Sequence, residues 1–593
     1  MLHGQSTWVR SMLFPHVNDG ILQKRLNPMF SSLKLFDWSL NYEQIRAVEA
    51  VLDQKYGHVP YLVSGPPGTG KTKTVVEMTL QLLRSTTTAH LLLCTPSDPA
   101  ADILVQRLKQ RLMPTDLFRL NAPSRSMGEV SDTVLPFCCI DNGTFKLPPF
   151  TDLMRKKVVV VSCRDAVILH QARLSNSDLF RFEQAVHAGI HPEAPPCTPQ
   201  PHWTGLIIDE AAQATEPEAL LPLLLVAPPE DSPRARMLPF VLVGDQNQLG
   251  PRTAWKDPSN QTSLFERLLI RQLYSQHPLA RSQRVDGAVR PLTQEMLPIT
   301  RPPFTDLVRN YRSHPAILAT PSSLFYNDTL EPCAAETHSL LLWTGFSNHS
   351  MPVLFAECRA PDEIERDGGG WYNIGEADLA LTMAKSLLNE QLLVQREICI
   401  MSPFRAQVKT LRTKARQQDL WDLNIGPLEA FQGLESRLVI VCTTRTRDRF
   451  VDQDIAKGLG VIHEPRRLNV ALTRAKEGLV IIGNPNVLDQ DENWASFLAF
   501  CQRNGAWKGE RNTAWRPPHS HNIRTSRLEK QMAYKNGVET GANGLARRLG
   551  KLKFGMSEED AMWQSGVEAE EMLHEDEKEE DEEIHEGELQ VDQ

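Results

Sequence analysis

The sequence predicts an α/β protein of two tandem domains with parallel sheets, followed by a disordered acidic tail. Three observations carry that prediction. Short β-branched runs alternate with helical spacing, the pattern of parallel sheets covered on both faces. The runs fall into two series, separated by a polar, proline-bearing stretch at residues 276–304. Residues 557–593 hold 17 Asp or Glu and one Lys, a composition that cannot bury apolar area.

In chain order, residues 1–36 are too few for a domain of their own and read as a linker. The first series is YLVSG, HLLLCTP, VVVVSC, GLIIDE and FVLVG, between residues 61 and 244, and it defines a first domain over 37–290. PVLFAE, EICIMSP, SRLVIVCTT and GLVIIGN, between residues 352 and 484, define a second over 291–510. Beyond residue 510 the periodicity fades, and 511–593 reads as disordered and acidic. No repeat of solenoid length is present.

Composition excludes several classes. The ten cysteines lie scattered with no CxxC spacing, which argues against a zinc site or a disulfide framework and suits a reducing compartment. No run reaches the roughly 18 apolar residues of a membrane span, and MLHGQSTWVR lacks the apolar core of a signal peptide. The net charge of −9 is unevenly spread: without residues 557–593, the remaining 63 Lys and Arg outnumber 56 Asp and Glu. A mildly basic body suits a nucleic-acid backbone. The tail reads as a solvated chain or as a competitor for the basic groove.

GPPGTGKT, residues 65–72, follows YLVSG and opens a helical run, so it fits a phosphate-binding loop in its proper context. Gly68, Thr69 and Gly70 let backbone N–H groups turn toward phosphates, Lys71 reaches the β and γ oxygens, and the Thr72 hydroxyl holds Mg²⁺. Asp209 and Glu210 end LIIDE. Asp209 would share the Mg²⁺ and Glu210 would take the proton of an attacking water. A pair of helix-start acids is the alternative, and the upstream loop favours the catalytic reading. Gln248, in VGDQNQLGP, follows another strand at the same sheet edge, suited to sensing a γ-phosphate or orienting the water. Gln44 lies on an amphipathic helix before the loop. Its amide suits an adenine edge, although taken alone it reads as a surface residue.

LNYEQ, GPPGTGKT, DEAAQA, GDQNQLGP, NYRSHP, SPFRAQ, EAFQGLES and RRLNVALTRAK follow the order of the superfamily 1 helicase motifs. The chain resembles subclass B, the group of the nonsense-mediated-decay helicase. LLRSTTTAHLLLCTPSDPAAD, LVRNYRSHPAIL, FVDQDIAKGLGVIHEPRRLNVALTRAK and NWASFLAFCQRNGAWKG resemble the Armitage/Mov-ten RNA helicases of RNA silencing. The resemblance covers roughly residues 5–510 and implies two tandem RecA-like P-loop NTPase domains with ATP in the cleft between them. It implies that Gln44 reads adenine, that Tyr311 stacks on it, and that Gln248 and Glu435 also line the nucleotide. Arg312 and Arg474 would be arginine fingers from the second domain. Single-stranded RNA would cross the opposite face, at Pro96, Ser97, Ser162, Pro403, Phe404 and Arg405, with phosphates held by hydroxyls and Arg405 and a base stacked on Phe404.

The resemblance further implies an ATP-dependent RNA helicase or ribonucleoprotein remodeller moving 5′ to 3′. It would act as a monomer without a membrane, in cytoplasm and RNA granules, beside silencing or RNA-decay proteins. An RNA-gripping ATPase with little unwinding, and a DNA helicase of the same subclass, are the alternatives. Three features depart from the family pattern. Asp98 stands where Asn is usual, and Ala430, preceded by Glu429, stands where Asp is usual. Ahead of the glutamine motif only TWVRSMLFP remains of a region that in the family carries a β-barrel. ATPase chemistry is expected to survive this, while processive unwinding is left open.

Overall fold

The computed structural model describes residues 7–538, except 24–32, 86–88, 196, 197, 199, 230–237, 254–260, 286, 289–292, 294, 295, 367–369, 432, 448–451, 453, 455–459, 510–514 and 519–522. The expected acidic tail lies outside the described residues.

The first sheet has seven strands: β1 (Tyr61–Ser64), β2 (Leu91–Thr95), β3 (Leu117–Arg119), β4 (Val158–Ser162), β5 (Gly205–Ile208), β6 (Phe240–Gly244) and β7 (Phe304–Asp306). They lie in the order β7-β1-β6-β5-β2-β4-β3, every pair parallel. The second has six: β8 (Val353–Glu357), β9 (Ile398–Ser402), β10 (Asn424–Pro427), β11 (Ser436–Cys442), β12 (Ala475–Gly483) and β13 (Trp507–Lys508). Their order is β10-β9-β11-β12-β8-β13, again all parallel. The runs read from sequence are unbroken in Val, Ile and Leu because both sheet faces are buried, with β1, β2, β4, β5, β6 and β9 buried along their whole length. Two separate apolar cores cover the two faces of the second sheet.

Three domain limits differ from those expected. The helix Thr7–Leu13 buries Trp8, Val9, Met12 and Leu13 in the first core, so this segment packs as part of the first domain rather than linking to it. Its end is held by Arg267 Nη1 on the Leu13 carbonyl at 3.0 Å. The first domain also runs past residue 290: β7 is its edge strand, and Thr305 shares a 2.7 Å hydrogen bond with the Tyr61 hydroxyl. Prolines at 302 and 303 and a strand of three residues disguise it as linker. Finally, the second domain extends past residue 510 through residues 515–518 and 523–538. Trp515 and Leu528 are buried in the second domain's core, and the helix Arg527–Val538 is pinned by Glu529 on Arg503 at 2.8 Å.

Candidate functional site at the cleft between the two sheets

The loop after β1 has the form its glycines require. Gly68 and Gly70 have φ of +78° and +83°, where a side chain is strained. They also stand where neighbours press in. A Cβ on Gly68 would lie 2.6 Å from the Cβ of Arg312, and one on Gly70 would collide with the Gln44 amide. Lys71 opens the helix Lys71–Ser85, and its ammonium donates to the Gly65 carbonyl at 3.0 Å, with Glu210 at 3.8 Å. A glycine-bearing loop with a lysine folded over it fits a phosphate chain.

The Thr72 hydroxyl donates to Asp209 Oδ2 at 3.0 Å. Burial, then the adjacent Glu210 carboxylate, raises the Asp209 pKa to about 6, against the pull of Lys71 and Thr72. A hydroxyl and a buried carboxylate short of positive charge are the hard oxygen donors that suit Mg²⁺. Glu210 sits in left-handed backbone, φ +55°, and accepts from Gln213 Nε2 at 3.1 Å.

Gln44 is not on the surface. It is buried, its Nε2 donates to the Thr69 carbonyl at 2.9 Å, and its Oε1 accepts the Asn41 amide at 3.0 Å. In this arrangement it braces the loop. Asn41 Nδ2 in turn donates to the Tyr311 hydroxyl at 3.0 Å, and the Tyr311 ring is 45% exposed, leaving a face for a base.

The NYRSHP segment reaches the loop directly. Asn310 Nδ2 donates to the Pro67 carbonyl at 2.6 Å, and the Tyr311 amide donates to the Gly68 carbonyl at 2.9 Å. Arg312 Nε pairs with Glu435 at 2.8 Å while its Nη1 donates to the Thr473 carbonyl at 3.1 Å. Burial would raise the Glu435 pKa, but Arg312 and Lys476 hold it below the usual carboxylate range. Arg474, 2% exposed, donates from Nη2 to Gln248 Oε1 at 2.8 Å. Burial, then the like charge of Arg312, lowers Arg474 to about 9, so it remains a cation at neutral pH. Thus Lys71, Thr72, Asp209, Glu210, Gln248, Arg312 and Arg474 converge on one cleft, with two guanidiniums contributed by the second domain.

Known proteins resemble this chain over most of its length. A family described as "AAA domain" matches residues 39–142 and 200–254, and a second of the same description matches 290–486. Human "RNA helicase Mov10l1" is 33% identical over 495 residues, covering 81% of this chain and 36% of that protein. Chicken "Putative helicase MOV-10" is 31% identical, covering 84% and 50%, and fruit-fly "Probable RNA helicase armi" is 30% identical, covering 81% and 39%. The chain belongs to the Upf1-like helicases of superfamily 1. It spans half or less of the length of these relatives.

The residues expected on nucleic acid divide into two groups. Pro96 and Pro403 are half-buried, and Ser97 and Arg405 are exposed beside strand ends, available to a phosphate chain. Ser162 and Phe404 are buried, at 2% and 5% exposure. The Ser162 hydroxyl accepts the Asp165 amide at 3.2 Å, and the Phe404 ring packs beneath Gly460, so it offers no face to a base. The unusual Asp98 is neutralised from inside. Arg119, fully buried, donates to Asp98 Oδ1 and to Asp102 Oδ1, each at 2.9 Å.

The sequence reading missed Asn310, and it missed Asp245, which accepts Gln248 Nε2 at 2.9 Å, Tyr326, whose hydroxyl donates to Asp245 at 2.8 Å, and Asn469, whose Nδ2 donates to that hydroxyl at 2.6 Å. Asn310 and Asp245 lie inside motifs that were already quoted and were within reach. Tyr326 stands alone after its helix and carries no sequence signal.

Proposed function

We propose that the chain is the motor core of an ATP-dependent RNA helicase, hydrolysing ATP between its two sheets and drawing single-stranded RNA past Ser97 of the first and Arg405 of the second. The observation that carries this is Arg474 of the second domain on Gln248 of the first, at 2.8 Å, beside the phosphate-type loop. Charge from one domain at a ligand of the other makes hydrolysis depend on how the domains meet.

The chain's residues divide the work as follows. The loop amides and Lys71 hold the phosphate chain, and Tyr311 offers its exposed face to the base. Thr72 and Asp209 would hold Mg²⁺, which when bound neutralises phosphate charge. Glu210 accepts the proton of the attacking water, and Gln248 orients that water. Arg312 and Arg474 offset negative charge on the departing phosphoryl oxygens. Ser97 and Arg405 contact RNA phosphates without reading bases. Movement from 5′ to 3′, action as a monomer in cytoplasm or RNA granules, and partners in silencing or RNA decay belong to the same proposal. The names of the relatives support the RNA helicase part of this reading.

The test is ATP turnover by the purified chain alone, with single-stranded RNA and with single-stranded DNA, alongside Lys71→Ala. Lys71-dependent hydrolysis stimulated more by RNA than by DNA is the expected result. Equal stimulation would reassign the substrate, and hydrolysis indifferent to Lys71 would remove the site.

A further inference from the structure

We infer that Tyr326 is a positioning residue for hydrolysis: its hydroxyl holds Asp245, and through Asp245 the Gln248 amide, so that Gln248 presents its oxygen to Arg474. This rests on the ATPase reading above and adds a residue outside the motifs.

An amide side chain can be turned over, exchanging an acceptor for a donor. Which end Gln248 shows therefore needs a cause. Its Nε2 donates to Asp245 Oδ2 at 2.9 Å, which leaves Oε1 facing the Arg474 guanidinium. The reversed amide would set donor against donor at Arg474 and oxygen against carboxylate at Asp245. Asp245, 1% exposed, is thus the residue that sets the orientation, and it is itself held on both oxygens. Oδ1 accepts the Asn247 amide at 3.0 Å, and Oδ2 accepts the Tyr326 hydroxyl at 2.8 Å.

Tyr326 is not a neighbour in sequence. It follows the helix Pro315–Phe325 of the second domain, is fully buried, and has the Arg281 guanidinium 5.6 Å from its ring centre. Its hydroxyl also accepts from Asn469 Nδ2 at 2.6 Å, and Asn469 Nδ2 reaches the Asn247 carbonyl at 2.7 Å. Asn469 lies on Pro465–Thr473, the helix that ends at Arg474. Gln248, Asp245, Tyr326, Asn469 and Arg474 thus close a ring that crosses the domain boundary twice. If the second domain withdraws, Asp245 loses the Tyr326 donor at the same time as Gln248 loses Arg474. Tyr326 therefore makes the orientation of Gln248 a consequence of domain seating.

The experiment is steady-state ATP turnover with saturating single-stranded RNA for the whole chain, Tyr326→Phe, Gln248→Ala and the double variant. Tyr326→Phe removes one hydroxyl and keeps the ring. Expected is a kcat lower by about tenfold with ATP KM within about twofold, and a double variant no slower than Gln248→Ala. A kcat equal to wild type, an increase in KM with kcat unchanged, or losses that multiply in the double variant would overturn the assignment. If Tyr326→Phe does not fold, Asn469→Ala withdraws the amide from the same hydroxyl, and its non-additivity with Gln248→Ala decides. Wild-type turnover that vanishes in Lys71→Ala keeps the ATPase reading intact whichever way Tyr326 falls.

Discussion

The two sheets share an all-parallel build and carry their candidate ATP-site groups at opposite ends. In the first, the candidate phosphate, metal and RNA groups follow strands: Lys71 and Thr72 after β1, Pro96 and Ser97 after β2, Asp209 and Glu210 after β5, Gln248 after β6. In the second, Glu435 immediately precedes β11 and Arg474 immediately precedes β12, whereas Pro403, Phe404 and Arg405 follow β9. The rule that ligands gather at the carboxyl ends of parallel strands thus holds for a domain serving its own ligand. A domain that completes its neighbour's site works from its other edge. The first sheet keeps its two tasks side by side along one rim, while the second keeps them a strand length apart.

The largest test of this contrast is Arg474→Ala. If the amino edge of the second sheet belongs to the active site, kcat falls by about 10³–10⁵ with little change in KM. Near-normal turnover would confine the chemistry to the first sheet. Glu210→Gln comes next, with kcat lower by about 10²–10⁴ while nucleotide binding, followed by equilibrium titration, persists. Arg119→Met probes the first sheet's shared rim. Removing this cation, with Arg125 still on Asp102 at 2.6 Å, should cost about 1–3 kcal/mol in denaturant unfolding.

A smaller effect concerns the second sheet. Burial raises the fully enclosed Glu376 to about 8, although Glu376 accepts the Thr444 amide at 2.8 Å. The folded state therefore holds this proton more tightly than the unfolded chain. Stability present at low pH is lost as pH rises from the ordinary carboxyl range through about 8. Glu376→Gln should flatten that slope in thermal melts taken from pH 5 to 8, and an unchanged slope would refute the assignment. The smallest expected effect is Arg405→Ala, which should weaken RNA binding a few-fold and reduce the salt slope by about one, irrespective of RNA sequence.

Much of this was legible in the sequence, and the reason is local. Continuous Val, Ile and Leu runs exist because both sheet faces are covered, so β1, β2, β4, β5, β6, β8, β9, β11 and β12 are visible without coordinates. The phosphate-type loop is equally local, since glycine and lysine spacing is the mechanism. Short edge strands were not legible. Phe304–Asp306 and Trp507–Lys508 are defined by what they lie against. Phe404 looked like a stacking residue because the sequence gives the identity of a ring and not its burial. Tyr326 was invisible because its partners, Asp245 and Asn469, lie 81 and 143 residues away.

The strand length in the second sheet has a mechanical consequence. β12 runs for nine residues from beside Arg474 to Gly483, a rod of about 30 Å. Packed on both faces, it cannot bend cheaply. A rigid-body turn of about 15° hinged at its arginine end would sweep the far end through about 8 Å. Sub-ångström adjustment around a phosphate would thus be geared up into a displacement on the scale of a nucleotide, with the sheet itself as the lever arm.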